Sequence, residues 1–305
     1  MNAMTIWYEP SHSEWYDAGI ADSLKMIRDA GFTHVHWNPD AGSSYFYAPS
    51  EINHIAELIS EAGLRAKSLH AAHGLHHVSE RKSPHIDRRK DFTSAVEWRR
   101  KAGVDLIVNR IELARRLDTD SVVLHVTIPS SFDDSATREA FLANVCKSFD
   151  EIRPVAEKHN VAIAVENLQD RSDHTSMLLE RLFDRYPIEF VGWCFDSGHG
   201  HSVDNKSMAF LEPFVPRLII THLHDNYGAK DDHLIPGDGT IRWDEIARMI
   251  AGSPAELPLV YETPPDRYSL SRLGFYAAAF RSHTELTAKV EELRATSGQP
   301  AAEPS

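Results

Sequence analysis

The sequence predicts an α/β protein with a single (β/α)8 TIM barrel, and three observations predict it. Short β-branched apolar runs alternate with longer amphipathic segments along the chain. About eight such runs occur, and the third to the eighth carry carboxylate or imidazole residues at or near their ends, where the C-terminal mouth of a barrel would gather them. The runs cover residues 5–8, 33–37, 66–70, 121–126, 161–166, 190–196, 218–223 and 257–262. Each is too short for a helix and rich in residues that suit a pleated surface.

Between the runs, apolar residues fall at helical spacing. Ile52, Ile55, Ala56 and Ile59 precede Gly63, and Ala140, Phe141, Val145, Phe149 and Ile152 precede Pro154. Gly31, Gly63 and Gly103 are read as helix stops, and Pro154, Pro187, Pro213, Pro216 and Pro258 as element boundaries. A doubly wound open sheet is disfavoured because no glycine-rich phosphate loop follows the first strand. Residues 1–294 are taken as one catalytic domain, and 295–305, small, polar and proline-containing, are expected to form a disordered tail. The one long connection, 71–90, has the length of a lid or binding loop.

Composition narrows the function classes. At 305 residues a single large core is possible, and 42% hydrophobic with 25% charged residues excludes a disordered or fibrous chain. The net charge of -13 opposes a general affinity for nucleic acid, whose backbone requires a Lys- and Arg-rich surface. Cys146 and Cys194 stand far apart, outside any CxxC spacing, which argues against a disulfide framework or a thiolate zinc site and fits a reducing cytoplasm. The first ten residues lack a cationic start followed by an apolar core, and no window reaches roughly 18 uncharged apolar residues, so neither export nor a membrane partner is expected. The 18 histidines exceed what a structural domain has reason to accumulate.

The strand ends carry the chemistry. The third closes with His70, the fourth carries His125, the fifth ends in Glu166-Asn167 and the sixth runs into Asp196-Ser197-Gly198-His199. The seventh holds His222-Leu223-His224-Asp225, and the eighth ends in Tyr261-Glu262-Thr263-Pro264. A lone histidine or aspartate at a strand end is more often a cap or a core hydrogen-bond partner. Six consecutive strands aiming such groups into one mouth are different, because uncompensated charges there cost several kcal/mol each. A divalent cation is the simplest remedy. Glu166, Asp196, His222 and Glu262 are the expected ligands of one metal, with His70, His125, His199, Asp231 and His233 as further ligands or substrate contacts. Mixed His, Asp and Glu without thiolate suits Zn, Mn, Co or Fe.

The segments SLHA (68–71), AVEN (164–167), CFDSGH (194–199), THLHDN (221–226), DDHLIPGDGTIRW (231–243) and YETP (261–264), in this order and spacing, resemble the xylose-isomerase-like TIM-barrel superfamily. The resemblance covers nearly the whole chain, most clearly from the third strand onward. That superfamily holds sugar and sugar-phosphate isomerases and epimerases, and abasic-site nucleases of the endonuclease IV type. As in ketose 3-epimerases, it implies one metal on Glu166, Asp196, His222 and Glu262, the two glutamates acting as acid and base and His199 touching substrate. In the endonuclease IV type the core extends to three zinc ions, whose additional ligands fall on His70, His125, His199, Asp231 and His233, so one to three ions are implied. Two features depart from these patterns. Basic DNA-facing loops are not visible, and Asn226-Tyr227-Gly228 stands where ketose epimerases carry an arginine after the seventh-strand histidine.

The expected reaction is isomerisation or epimerisation of a sugar, sugar phosphate or related polyol derivative, one glutamate removing a proton and the other returning it. A multinuclear phosphoester hydrolase, a lyase or dehydratase, and a non-catalytic binding barrel are the alternatives. Trp7, Tyr8, Trp37, Tyr45, Phe46 and Tyr47 are read either as a flat wall for a sugar or as core filling; Trp193 and Trp243 are read as packing. The basic run His73, His76, His77, Arg81, Lys82, His85, Arg88, Arg89 and Lys90 is either a solvated helix start or a lid that meets a substrate phosphate or carboxylate. His199, His224, Trp37 and Arg88 are the candidate substrate contacts, and Gly237-Asp238-Gly239 is expected to shape the loop behind Asp231 and His233. A carbohydrate is the expected small-molecule partner, and barrels of this kind often pair through outer helices, so a homodimer is an open expectation.

Overall fold

A computed structural model describes residues 3–15, 19–38, 45–73, 89–202, 211–253 and 257–296. Eight parallel strands close into a barrel in sequence order: β1 (Met4–Tyr8), β2 (His34–Trp37), β3 (Arg65–His73), β4 (Ser121–His125), β5 (Ala162–Glu166), β6 (Val191–Asp196), β7 (Leu218–Leu223) and β8 (Leu259–Tyr261), the last pairing back onto the first. The barrel is the one the sequence predicts. β3 extends three residues beyond the expected end at His70, and β8 stops before Glu262, whose N–H still donates to the Leu223 carbonyl at 3.0 Å.

Around the barrel lie α1 (Gly19–Asp29), α2 (Pro49–Glu61), α3 (Glu97–Arg116), α4 (Ser135–His159), α5 (Ser172–Arg185), the short α6 (Ser197–Ser202), α7 (Trp243–Ala251) and α8 (Arg272–Thr296). Pro49 in the first turn, and the Glu51 carboxylate accepting the Ala48 N–H at 2.7 Å, start α2. Gly31 and Gly63 follow α1 and α2 with φ of 112° and 75°, the left-handed stops expected.

Two expected boundaries are corrected. Gly103 lies inside α3, where a Cβ would collide with the backbone of Asp91 and Phe92, so its role is close packing. Pro154 lies inside α4, which continues to His159 and ends at Asn160 in left-handed conformation, φ 53°. The buried stripe of Phe141, Val145, Phe149, Ile152 and Ala156 holds that helix together across the missing N–H. α8 also runs through Thr296, into the expected tail. The rest of the tail, and the lid candidates from His76 to Arg88, lie outside the described residues. Among the described residues no helix is long and apolar enough to cross a membrane.

Strand periodicity positions the site. Val123, Ala164, Cys194, Ile220 and Val260 form a small apolar cluster of their own, apart from the large core between strands and helices. Side chains alternate faces along a strand. Two residues beyond each member of that cluster stand His125, Glu166, Asp196, His222 and Glu262. An apolar layer therefore plugs the barrel, and an ionisable layer lies directly above it at the C-terminal mouth.

Candidate metal centre

Glu166, Asp196, His222 and Glu262, all buried, bring one ligand atom each within 4.8 Å of one another. His222 Nδ1 lies 3.3 Å from Glu166 Oε2 and 2.7 Å from Glu262 Oε2. Neither approach is aligned as a hydrogen bond: His222 Nδ1, Glu166 Oε1 and Glu262 Oε2 are buried without a hydrogen-bond partner among the described residues. Orphaned buried polar atoms cost about 1–3 kcal/mol each. A divalent cation would accept all of them as ligands, so the donor set fits one.

Two further groups flank this one, and a third, Glu166, Cys194 and His222, overlaps it, so a thiol discounted from sequence also stands among the possible ligands. In the first, His70 Nε2 is 2.9 Å from His125 Nε2, which is in turn 2.9 Å from Glu166 Oε2, so Glu166 belongs to both groups. In the second, His224, Asp231 and His233 converge, with His233 Nε2 3.1 Å from Asp231 Oδ2 and the two imidazoles stacked at 4.1 Å. His199 bridges the groups: Nε2 is 3.3 Å from Asp231 Oδ2, and Nδ1 is 3.4 Å from Glu166 Oε1. All nine metal-ligand candidates thus meet in one mouth.

Local structure aims these groups. Asn167, next to Glu166, accepts from the Asp196 N–H at 2.9 Å and donates to the Asp196 carbonyl at 2.9 Å, locking β5 to β6. Asp196 Oδ1 accepts the His199 N–H at 2.6 Å at the start of α6. Asp225 faces away from the ligand groups. It accepts from Gly237 N at 3.0 Å, Ile241 N at 3.1 Å and Trp243 Nε1 at 2.7 Å, and so folds the loop that carries Asp231 and His233. His233 itself adopts φ 51°, and Gly237 φ 103° supplies the turn expected there.

Several substrate contacts expected from sequence are placed differently. Trp37 is fully buried on the outer side of β2, ring-to-ring with Tyr8 and Trp15, and does not reach the mouth. Trp7 occupies that place: its ring stacks on His36 at 5.2 Å and stands edge-on to His70 and His222, each at 5.8 Å. His224 has no exposed surface and its Nε2 is 3.1 Å from both Asp196 oxygens, which sets it among the ligand groups and not at an open substrate face. Arg88 lies outside the described residues. His36 is a site residue that the sequence reading missed; Nδ1 pairs with Ser68 Oγ at 2.8 Å, and the ring is 4.8 Å from that of His222. The alternation along β2 puts His36 and Trp37 on opposite faces, and barrel closure makes the His36 face the inner one.

The mouth demands positive charge. Burial raises Glu166 and Glu262, but the imidazoles of His125 and His222 around the first, and of His222 and His233 around the second, outweigh it; both carboxyls fall below their ordinary values, Glu262 to about 2. Burial opposes charge on His222 as well, yet Cys194, Glu166 and Glu262 beside it hold it well above the usual imidazole range. His36 and His70 are driven the other way, by burial first and neighbouring imidazoles second, His70 to about 4. Burial lifts the Cys194 thiol, which lies beneath Glu166 and His222, to about 12. An imidazolium meets the demand of these carboxylates in the protein alone, and a divalent cation beside neutral imidazoles would meet it equally.

The uncharacterized protein y4fM of Sinorhizobium fredii is 43% identical over 308 residues, spanning 98% of this chain and 97% of its own length. Among solved structures, a D-tagatose 3-epimerase-like protein is 24% identical with a TM-score of 0.63, covering 90% of this chain and 98% of its own. The IolI protein with a bound zinc atom is 16% identical with a TM-score of 0.65, over 94% and 98%. These two likenesses establish the shared barrel. Residues 24–288 match the family described as xylose isomerase-like TIM barrel, and the chain belongs to that family.

Proposed function

We propose that the protein is a divalent-metal-dependent isomerase or epimerase that moves a proton on a sugar or related polyol derivative. The observation that carries this reading is the convergence of two buried glutamates, Glu166 from β5 and Glu262 beyond β8, on one imidazole, His222, with Asp196 completing a four-ligand set. Held there, a divalent cation would supply Lewis acidity to a carbonyl or adjacent hydroxyl. The chain's own groups do the remainder. One glutamate takes the proton from carbon or oxygen and the other returns it, while Trp7 offers a flat face that shields the reacting carbon from water. A lyase or dehydratase would begin with the same proton removal. The names of the epimerase-like and zinc-bound neighbours support the class and the metal.

A second reading rests on the two flanking groups. Glu166 shared among three of four ligand sets is an arrangement suited to a multinuclear phosphoester hydrolase. Metal content per chain separates the readings. About one ion, unchanged in Asp231→Ala and His233→Ala, together with solvent deuterium entering a ketose at the carbon beside its carbonyl, supports the epimerase. Two or three ions, falling in those variants and accompanied by phosphoester cleavage, would replace it with the hydrolase.

A further inference from the structure

Beside the ligand groups lies a cavity of about 1040 Å³. None of the residues of the four ligand groups lines it, and Trp7 is the residue common to cavity and centre. Pro264 and Pro265, just past Glu262, form its near edge. Pockets that bury a whole drug-sized ligand measure about 300–1,000 Å³. The cavity is therefore roomy enough for a second chemical unit attached to one that reacts over Trp7.

Its walls say what that unit is. Trp7, Tyr8, Trp15, Tyr45, Tyr47 and Tyr276 supply aromatic surface. Among the described residues the ionisable lining consists of Glu9, Glu14, Glu51 and Asp266 against one cation, Arg272. That cation is engaged: Arg272 Nη1 donates to Glu14 Oε1 at 3.0 Å and to Ser23 Oγ at 2.9 Å. Glu14 also accepts from Ser11 N and Ser11 Oγ, both at 2.7 Å, and from Ser23 Oγ at 2.6 Å, so it is a fixed carboxylate. A phosphate or carboxylate entering here meets like charge. A neutral polyol does not: its C–H faces rest on aromatic rings and its hydroxyls donate to carboxylates.

Building on the epimerase reading, we propose that the substrate is an uncharged glycoside whose reacting sugar lies at the metal centre and whose second sugar unit, in place of a phosphate group, fills this aromatic, acidic cavity.

Calorimetric titration of the metal-loaded full chain with cellobiose, maltose and lactose, each set against D-glucose, D-galactose and glucose 6-phosphate, tests this. At least one disaccharide is expected to bind about tenfold more tightly than either monosaccharide, with glucose 6-phosphate weakest. Tyr45→Ala, on a ring 52% exposed, should bring the disaccharide-to-monosaccharide ratio close to one while circular dichroism stays unchanged. No disaccharide preference, a preference for glucose 6-phosphate, or a ratio untouched by Tyr45→Ala would overturn the proposal. The outcome is independent of the metal count: three ions with phosphoester cleavage but a retained disaccharide preference would sink the epimerase reading and leave the cavity's ligand standing.

Discussion

Glu166 accepts from His125, stands beside His199 and His222, and is shared by three ligand groups, whereas Glu262 belongs to one. Removing the charge of Glu262 is therefore the cleaner test of proton transfer. Glu262→Gln, which keeps the shape, is expected to lower turnover by about 10²–10⁴-fold with the thermal transition little changed; an undiminished rate would refute its acid/base role. Away from the centre, burial raises the Glu14 carboxyl, but hydrogen bonds from Ser11 and Ser23 and from Arg272 prevail and hold it below its usual 4.5. A carboxyl whose pKa falls on folding contributes stability above its unfolded pKa and loses it as pH drops through the folded one. Glu14→Gln should thus lower Tm near neutral pH, the gap to the parent closing as pH falls below 4.5; a gap constant with pH would show that the charge contributes nothing. At this scale the residue types at strand ends were legible in the sequence. The Trp7-for-Trp37 exchange was not, because each choice depends on which face of a strand is inward, and a strand with ring residues on both faces does not announce it.

Elements transmit these placements through close contacts that only glycine permits. A Cβ at Gly198, in α6, would collide with the His224 ring, and one at Gly103 would collide with the backbone at Phe92. The two substitutions should separate site from scaffold. Gly103→Ala is expected to cost about 1–3 kcal/mol of stability with metal content intact. Gly198→Ala, by pushing His224 off Asp196, should reduce metal content or affinity; equal effects of both on metal would mean that α6 does not position the centre. The sequence showed Gly103 and Pro154 as punctuation because single residues signal stops, while the packing that overrides them comes from partners distant in the chain.

On the scale of the whole molecule, the barrel gathers groups from six strands and the loop after β7 into one charged mouth over an apolar plug. A metal held there would be coupled to folding. Chelation should lower Tm and readdition restore it, since a ligand at 100 times its Kd stabilises by about 2.7 kcal/mol; a Tm indifferent to chelator would remove the metal from the fold's energetics. By itself, the sequence determined the number and order of strands and the residue type that ends each one. Those are local properties, written in periods of 2 and 3.6 and in turn residues. Only the tertiary structure decided that eight of the nine ligand candidates, with Cys194 and His224, fall into four groups, three of them sharing Glu166 and the fourth reached through His199, that Asp225 faces away to clamp a loop, and that an aromatic, acidic cavity opens beside Trp7. Each of these is a distance between residues far apart in the chain, set by barrel closure and register, which no local pattern records.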